Sequence, residues 1–356
     1  MGRAVYTRYV PENTDNLEPL NTRITAPKTV KLPQPSAELR WRPAANDDLP
    51  NIISLVNAAN KLDDPSRVVV AADMGKAFAT KEPERNTVIA HDENDRAVAY
   101  GFVLEPSLTS EALSIETDFF VHPDRRDEGI ETALLKWQEA RVTQLFSSRT
   151  DTARAWWVTG VAAANESGVA FLEDTGFKKE RSWLAMHREL STPINEPRLS
   201  PEMRITTPDG HSEETRLAYN DSFQDHWGSE ADTAEDWQRR EARSDYRSDL
   251  SFIALGPTAD GGEEAAGLVI SYVSPEKWEN RGGPFVYIHL MGVRRAWRGH
   301  GIATALLNHA LQSFKTAGFK SAELTVDATN PTGALHVYEK VGFTPTNRHH
   351  TYVKEF

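Results

Sequence analysis

The chain has 356 residues, long enough for two domains of ordinary size, and its 39% hydrophobic content with 14 Phe supplies side chains for sizeable cores. Cysteine is absent, which excludes disulfides, thiolate metal sites and a cysteine nucleophile, and a formal net charge of −12 opposes binding to nucleic acid through counterion release. No apolar run is long enough to cross a membrane, and Met1–Tyr6 lacks the apolar core of a signal peptide, so a cytoplasmic protein without nucleic-acid or membrane partners is expected.

Residues 1–36 are rich in proline, show little periodicity, and read as an extended arm. A first domain is expected over 38–190. Arg40–Arg42 is its opening strand and Asp47–Ala59 its first helix. Strands Thr87–Ala90 and Val98–Leu104 are joined by the polar turn at Asp92–Asp95. The loop Val121–Glu131 leads into a helix carrying Thr132-Ala-Leu-Leu135, and Phe171–Phe177 closes the pattern. Pro193, Pro197 and Pro201 break both helix and sheet and mark a linker over 191–202.

The second half, 203–356, repeats the first in diverged form. Strands Ser251–Leu255 and Ala265–Tyr272 flank a polar turn at Asp260–Gly262. A strand at Tyr287–Gly292 runs into the loop Val293–Ala303, which has the spacing of Val121–Glu131. The helix Ile302–Ala317 carries the same Thr-Ala-Leu-Leu at 304–307. A strand from Ala322 ends at Asn330, and Val337–Phe343 parallels Phe171–Phe177.

The loop Val293–Ala303 holds Arg294, Arg295, Arg298 and His300 and no acidic residue. Gly299 and Gly301 permit positive φ just before a helix, so backbone N–H groups can surround an anion at its N-terminus. The spacing is neither a Walker loop nor a dinucleotide fingerprint. Its copy in the first half carries Asp127, Glu128 and Glu131 where the second has Gly299, His300 and Ala303. Carboxylates there oppose a pyrophosphate by ~4 kcal/mol per charge pair at ~4 Å and an effective dielectric of ~20. The first copy is therefore expected to have lost its anion site.

The Arg298-x-x-Gly301-x-Ala303 core between strand and helix, followed by Asn330, Tyr338 and Gly342-Phe343, resembles the coenzyme A loop and closing motif of the GNAT superfamily of N-acetyltransferases. The tandem arrangement resembles the two-domain, mycothiol synthase-like type. The resemblance implies an α/β fold of two tandem GNAT-like domains, each a mixed, mostly antiparallel sheet flanked by helices. The second domain would be catalytic and the first degenerate.

It also implies acetyl-CoA as co-substrate, no metal, and direct attack of an amine on the thioester. Amides from Arg298 to Ala303, with Ile302 and Thr304 in the first turn, would hold the phosphates, aided by the Arg294, Arg295 and Arg298 side chains and by His300. The edge at Met291 and Val293 would pair with the pantetheine arm, and one of their amides would polarise the acetyl carbonyl. Asn330 would sit beside the pantetheine; a strand-end cap is its structural alternative.

Tyr338 matches the family's general acid, and its position four residues before Gly342 favours that role over a place on the apolar face of the last helix. The acidic base usual on the preceding strand is missing. His289, which alternates with Tyr287 and Met291 on one face, is the best replacement, a structural histidine being its alternative, with Glu323 and Asp327 as secondary candidates; an amine arriving already neutral would need only a solvent path. Phe223–Gly228, followed by Glu230, Asp232, Glu235 and Asp236, would line the acceptor pocket and hold an amine; a solvated helix–loop–helix with one buried Trp is the equal alternative.

The expected acceptor is a small-molecule amine. Acylation of a protein or peptide amine, and a non-catalytic acyl-CoA-binding regulator, are the alternatives. A monomer is favoured because the repeat can stand in for a dimer. No His-Glu-x-x-His helix occurs.

Overall fold

The computed structural model describes residues 17–34, 38–65, 67–74, 82–108, 111–224, 226–227, 229, 231–329 and 333–356. The chain forms two compact units, one of Met1–Arg181 with His349–Phe356 and one of Ser182–Arg348. Residues 182–190 and 349–356 thus sit in the unit opposite to that expected from their place along the chain. Each pairs with a strand of the unit that receives it. In the first unit His349–Glu355 pairs antiparallel with Trp156–Ala162, and in the second Trp183–Glu189 pairs antiparallel with Ser321–Asp327. A strand is recruited by its backbone pairing and apolar face, neither of which depends on sequence distance.

In the first unit, Arg40–Arg42, Thr87–His91, Ala97–Val103 and Leu113–Val121 pair antiparallel in that order. Leu113–Glu116 then pairs parallel with Ala155–Val158. The helix Ile130–Ser147 packs Leu134, Val142 and Phe146 into the core with Trp157. Part of the proline-rich arm belongs to this core. Leu20 is fully buried, its amide donates to Asp151 O at 3.0 Å, and Arg23 donates to the carbonyls of Ala153 and Phe356.

The second unit has the same plan. Arg204–Thr206, Phe252–Pro257, Glu263–Tyr272 and Phe285–Val293 pair antiparallel in order. The mixed, mostly antiparallel sheet flanked by helices that the sequence implied is therefore present in each unit. The helix Ile302–Thr316 buries Ile302, Leu306, Leu307, Ala310, Leu311 and Phe314, a spacing that puts one apolar stripe against the sheet. Each of the Ile, Leu and Phe side chains among these contributes roughly 1.5–3 kcal/mol when fully buried. Along the expected linker, Ile194 and Leu199 pack on this core.

One feature of the sheet positions the site. Phe285–Tyr287 pairs parallel with Ser321–Glu323, and that pairing ends there. Phe285–Val293 continues alongside Gly267–Tyr272, while Ser321–Asp327 continues alongside Trp183–Glu189. The two central strands therefore part beyond Tyr287 and Glu323 and leave a fork. The first unit has the corresponding fork beyond Glu116 and Val158.

Candidate active site in the second unit

The fork of the second unit opens into a cavity of ≈ 370 Å³. One wall is Ile288, His289, Met291, Gly292 and Val293; the facing wall is Leu324–Asp327. Trp297–Gly299 and Gly301–Thr304 form one end, Ala334, Val337 and Tyr338 the floor, and Ser222, Phe223 and His226 the remaining side.

The loop end is built as its glycines require. Gly299 and Gly301 have φ of +84° and +76°, and nothing lies within 4 Å of a Cβ built at either. It is the backbone angle that calls for glycine there, and the space in front of the helix is open. The first amide of the helix ladder is Ala305, bonding Gly301 O at 3.0 Å, and no acidic residue stands in the first turn. The amides of Ile302–Thr304 have no carbonyl one turn back to bond, so they and the helix dipole present positive charge to the cavity.

The arginines divide by role. Arg298 lines the cavity, and its guanidinium donates to Val293 O at 3.2 Å and Ser222 O at 3.1 Å. It ties the loop to the strand end and to the helix Ser212–Ser222. Arg294 pairs with Glu264 and lies 3.5 Å from Asp221, while Trp297 Nε1 donates to Glu264 at 2.8 Å. The Arg295 amide donates to Asp221 at 3.0 Å. The segment has no acidic residue of its own, yet the fold brings two carboxylates to it from elsewhere. The His300 ring folds back on its own turn, with Nδ1 at 3.0 Å from Arg298 O.

Tyr338 is buried on the cavity floor, its ring 6.0 Å edge-on from Phe343. Burial, followed by the neighbouring Tyr287 hydroxyl, pushes its pKa above the ordinary tyrosine value. The phenol is therefore fully protonated at neutral pH. Tyr287 donates to Thr325 Oγ1 at 3.1 Å.

His289 stands on the wall with its ring stacked on Tyr272 at 4.6 Å. Glu323 is drawn into a cluster with Arg281 at 2.8 Å and His187 at 3.4 Å, and Asp327 accepts from the amide and hydroxyl of Thr329 at 2.8 and 2.7 Å. Asn330 lies outside the described residues. Of the expected acceptor segment, Phe223 and His226 reach the cavity, and the His226 ring lies 5.4 Å from Phe223 and 5.8 Å from Trp183. Trp183 escapes a reading along the chain because it arrives as the cross-strand partner of Asp327.

The first unit keeps the backbone shape of this loop and changes its charge. Asp127 and Gly129 hold φ of +65° and +78°, the counterparts of Gly299 and Gly301. Its fork encloses ≈ 470 Å³ lined in part by Asp63, Asp64, Asp118, Asp127 and Glu131. Arg126 is clamped by Asp63 at 2.6 and 2.9 Å and Arg125 by Glu128 at 2.8 Å, so both guanidinium groups are engaged. Burial pushes the Asp118 carboxyl up to about 6 and raises Glu131 as well.

Residues 213–343 match the model of the Acetyltransferase (GNAT) family. The chain is 28% identical over 269 residues to the mycothiol acetyltransferase of Nocardiopsis dassonvillei, covering 70% of this chain and 76% of that protein. It is 27% identical over 254 residues to the mycothiol acetyltransferase of Corynebacterium glutamicum, covering 67% and 75%. Among solved structures, a GCN5-related N-acetyltransferase from Sphaerobacter thermophilus superposes with a TM-score of 0.71 at 24% identity, covering 91% of this chain and 97% of that one. A tandem GNAT protein from the clavulanic acid biosynthesis pathway gives 0.64 at 17% identity, covering 89% and 98%. At these identities the structural likeness speaks for the fold. Among the described residues no helix is long and apolar enough to cross a membrane, and no group of three or more His, Cys, Asp or Glu is arranged to hold a metal ion.

Proposed function

We propose that this chain, a GNAT-family N-acetyltransferase of the tandem two-domain type, moves the acetyl group of acetyl-CoA to a primary amine of a small molecule in the cavity of its second unit. The carrying observation is convergence. One cavity collects an open helix N-terminus, a strand edge at Met291–Val293 and a buried, protonated Tyr338.

The residues suit acetyl-CoA. Amides of Gly299–Thr304 and the helix dipole would face the pyrophosphate, and the bare methyl of Ala303 leaves room for it. Arg298 would keep the loop in place beside them. Acetyl-CoA supplies the activated thioester. The Met291 or Val293 amide would donate to the oxygen on which charge builds as the amine adds.

Tyr338 would donate a hydrogen bond to the departing sulfur. Its raised pKa makes complete ionisation unfavourable, so the phenol acts first by stabilising the thiolate and regains any proton it gives up. The amine's proton would go to an imidazole lining the cavity, where both His226 and His289 stand. The names of the relatives support a small-molecule acceptor. The first unit, with carboxylates at its loop, would bind no acetyl-CoA.

The test is thiol release from acetyl-CoA across a panel of small amines, for wild type and Tyr338→Phe. Turnover with at least one amine, reduced about 100-fold or more in kcat by the substitution, is expected. Tight acetyl-CoA binding with no turnover on any amine would instead identify a binding module.

A further inference from the structure

We infer that His226 is the general base that takes the proton of the acceptor amine, an assignment that rests on the acetyl-transfer reading above. His226 lines the same cavity as Tyr338 and Met291. Its position follows from a close approach: Ser222 Cβ and Phe223 Cε2 would lie 2.7 and 3.0 Å from a Cβ on Gly292. The turn after the helix Ser212–Ser222 therefore sits directly on the strand edge that would hold the acetyl carbonyl.

The ring's tautomer follows from its partners. Nδ1 lies 3.1 Å from Trp227 O, and Ser229 Oγ lies 3.1 Å from the same nitrogen. A backbone carbonyl only accepts, so Nδ1 carries the hydrogen and Nε2 keeps its lone pair. Phe223 and Trp183 hold the ring in place.

Burial lowers the pKa of His226, while the Trp227 carbonyl and the Asp327 carboxylate, from the strand Ser321–Asp327, act in the opposite sense. The net result is a neutral imidazole at neutral pH, with a carboxylate nearby to favour the imidazolium once a proton arrives.

The proton balance is as follows. Of the three protons on the substrate ammonium, one passes to His226 Nε2 and on to solvent, one stays on the amide product, and one is lost as the C–N bond forms and the C–S bond breaks. The sulfur leaves as a thiolate hydrogen-bonded to the Tyr338 hydroxyl and becomes the thiol by taking up that last proton through Tyr338 and solvent.

Two measurements test the assignment on the full chain. The first compares wild type with His226→Asn, whose amide nitrogen can replace the Nδ1–H donor to Trp227 but offers no base. With an amine that the wild type acetylates, kcat should fall about 100-fold or more, the acidic limb of the pH–rate profile should disappear, and KM for acetyl-CoA should stay within about threefold. A kcat within about threefold of wild type and an unchanged acidic limb would overturn the assignment while leaving acetyl transfer intact. The second is a long-range proton–nitrogen NMR spectrum of the wild-type imidazoles at neutral pH, assigned by the loss of the His226 signals in the variant. A bare Nε2 supports the assignment; a protonated Nε2 overturns it even if no amine in the panel is acetylated. Failure of every amine would count against the acetyl-transfer reading itself.

Discussion

The ring of Phe223 rests on the backbone of Gly292, so close that a methyl group there would stand 3.0 Å from its Cε2. Gly292 lies between Met291 and Val293, which line the cavity with it, so its missing side chain lets the wall and the strand edge meet. Gly292→Ala must push Ser222 and Phe223 outward. Overpacking of this kind costs about 1–3 kcal/mol. The expected outcome is a modest fall in melting temperature and at least about a tenfold loss in kcat/KM, because misplacement by an ångström is felt strongly in an oriented site. Calorimetry and thiol-release kinetics on the same preparation check both.

Ala303→Glu separates charge from folding. A carboxylate in the first helical turn favours the dipole, so stability should hold or rise slightly. Binding of acetyl-CoA should nonetheless fall by about 100-fold or more, since the new charge stands where the pyrophosphate would be. Glu131→Ala, the reverse change at the first loop, should create no second site, because Asp127 and the paired Arg125 and Arg126 remain. Isothermal titration of the two variants reads this; two equal sites in the wild type would contradict a degenerate first unit.

Arg298 can be probed by truncating the ligand. Its bonds to Val293 O and Ser222 O make it a tether of the loop. Arg298→Lys keeps the charge and loses the planar fork, so about a tenfold weaker binding of acetyl-CoA is expected. If the tether shapes the pantetheine end as well, acetyl-pantetheine, which lacks the pyrophosphate, will show a similar proportional loss. A loss confined to acetyl-CoA would place Arg298 on the phosphates alone.

His187 supplies a pH signature in the second unit. Its hydrogen bond to Glu323, and secondarily its contact with Glu189, raise its pKa above the ordinary value. A histidine raised on folding stabilises the protein fully below its unfolded value of about 6.5, and that contribution disappears as pH rises through the higher folded value. His187→Gln should therefore lower the melting temperature at pH 5.5 and have little effect at pH 8.5. A constant difference across that range would show that the side chain acts by packing.

Much of the site could be read along the chain because it is local. The loop Val293–Ala303, the positive-φ glycines at 299 and 301 and the apolar stripe of Ile302–Thr316 are each set by neighbours in sequence. The charge swap at Asp127 and Glu131 is equally visible from the repeat. The neutralisation of Arg294 was not, because Glu264 comes from a neighbouring strand and Asp221 from a helix far along the chain. Nor was the strand exchange, since residues 182–189 and 349–355 carry the same alternating pattern whichever sheet receives them.

By itself the sequence determined the repeated strand–loop–helix units, the family they resemble and which copy kept an anion-friendly loop, because those depend on backbone angles and side-chain charge within a few residues. The tertiary structure alone decided that Tyr338, His226 and the Met291–Val293 edge share one cavity. The fork in the sheet brings them together, and where two strands part is set by hydrogen-bond pairing and core packing across the whole unit.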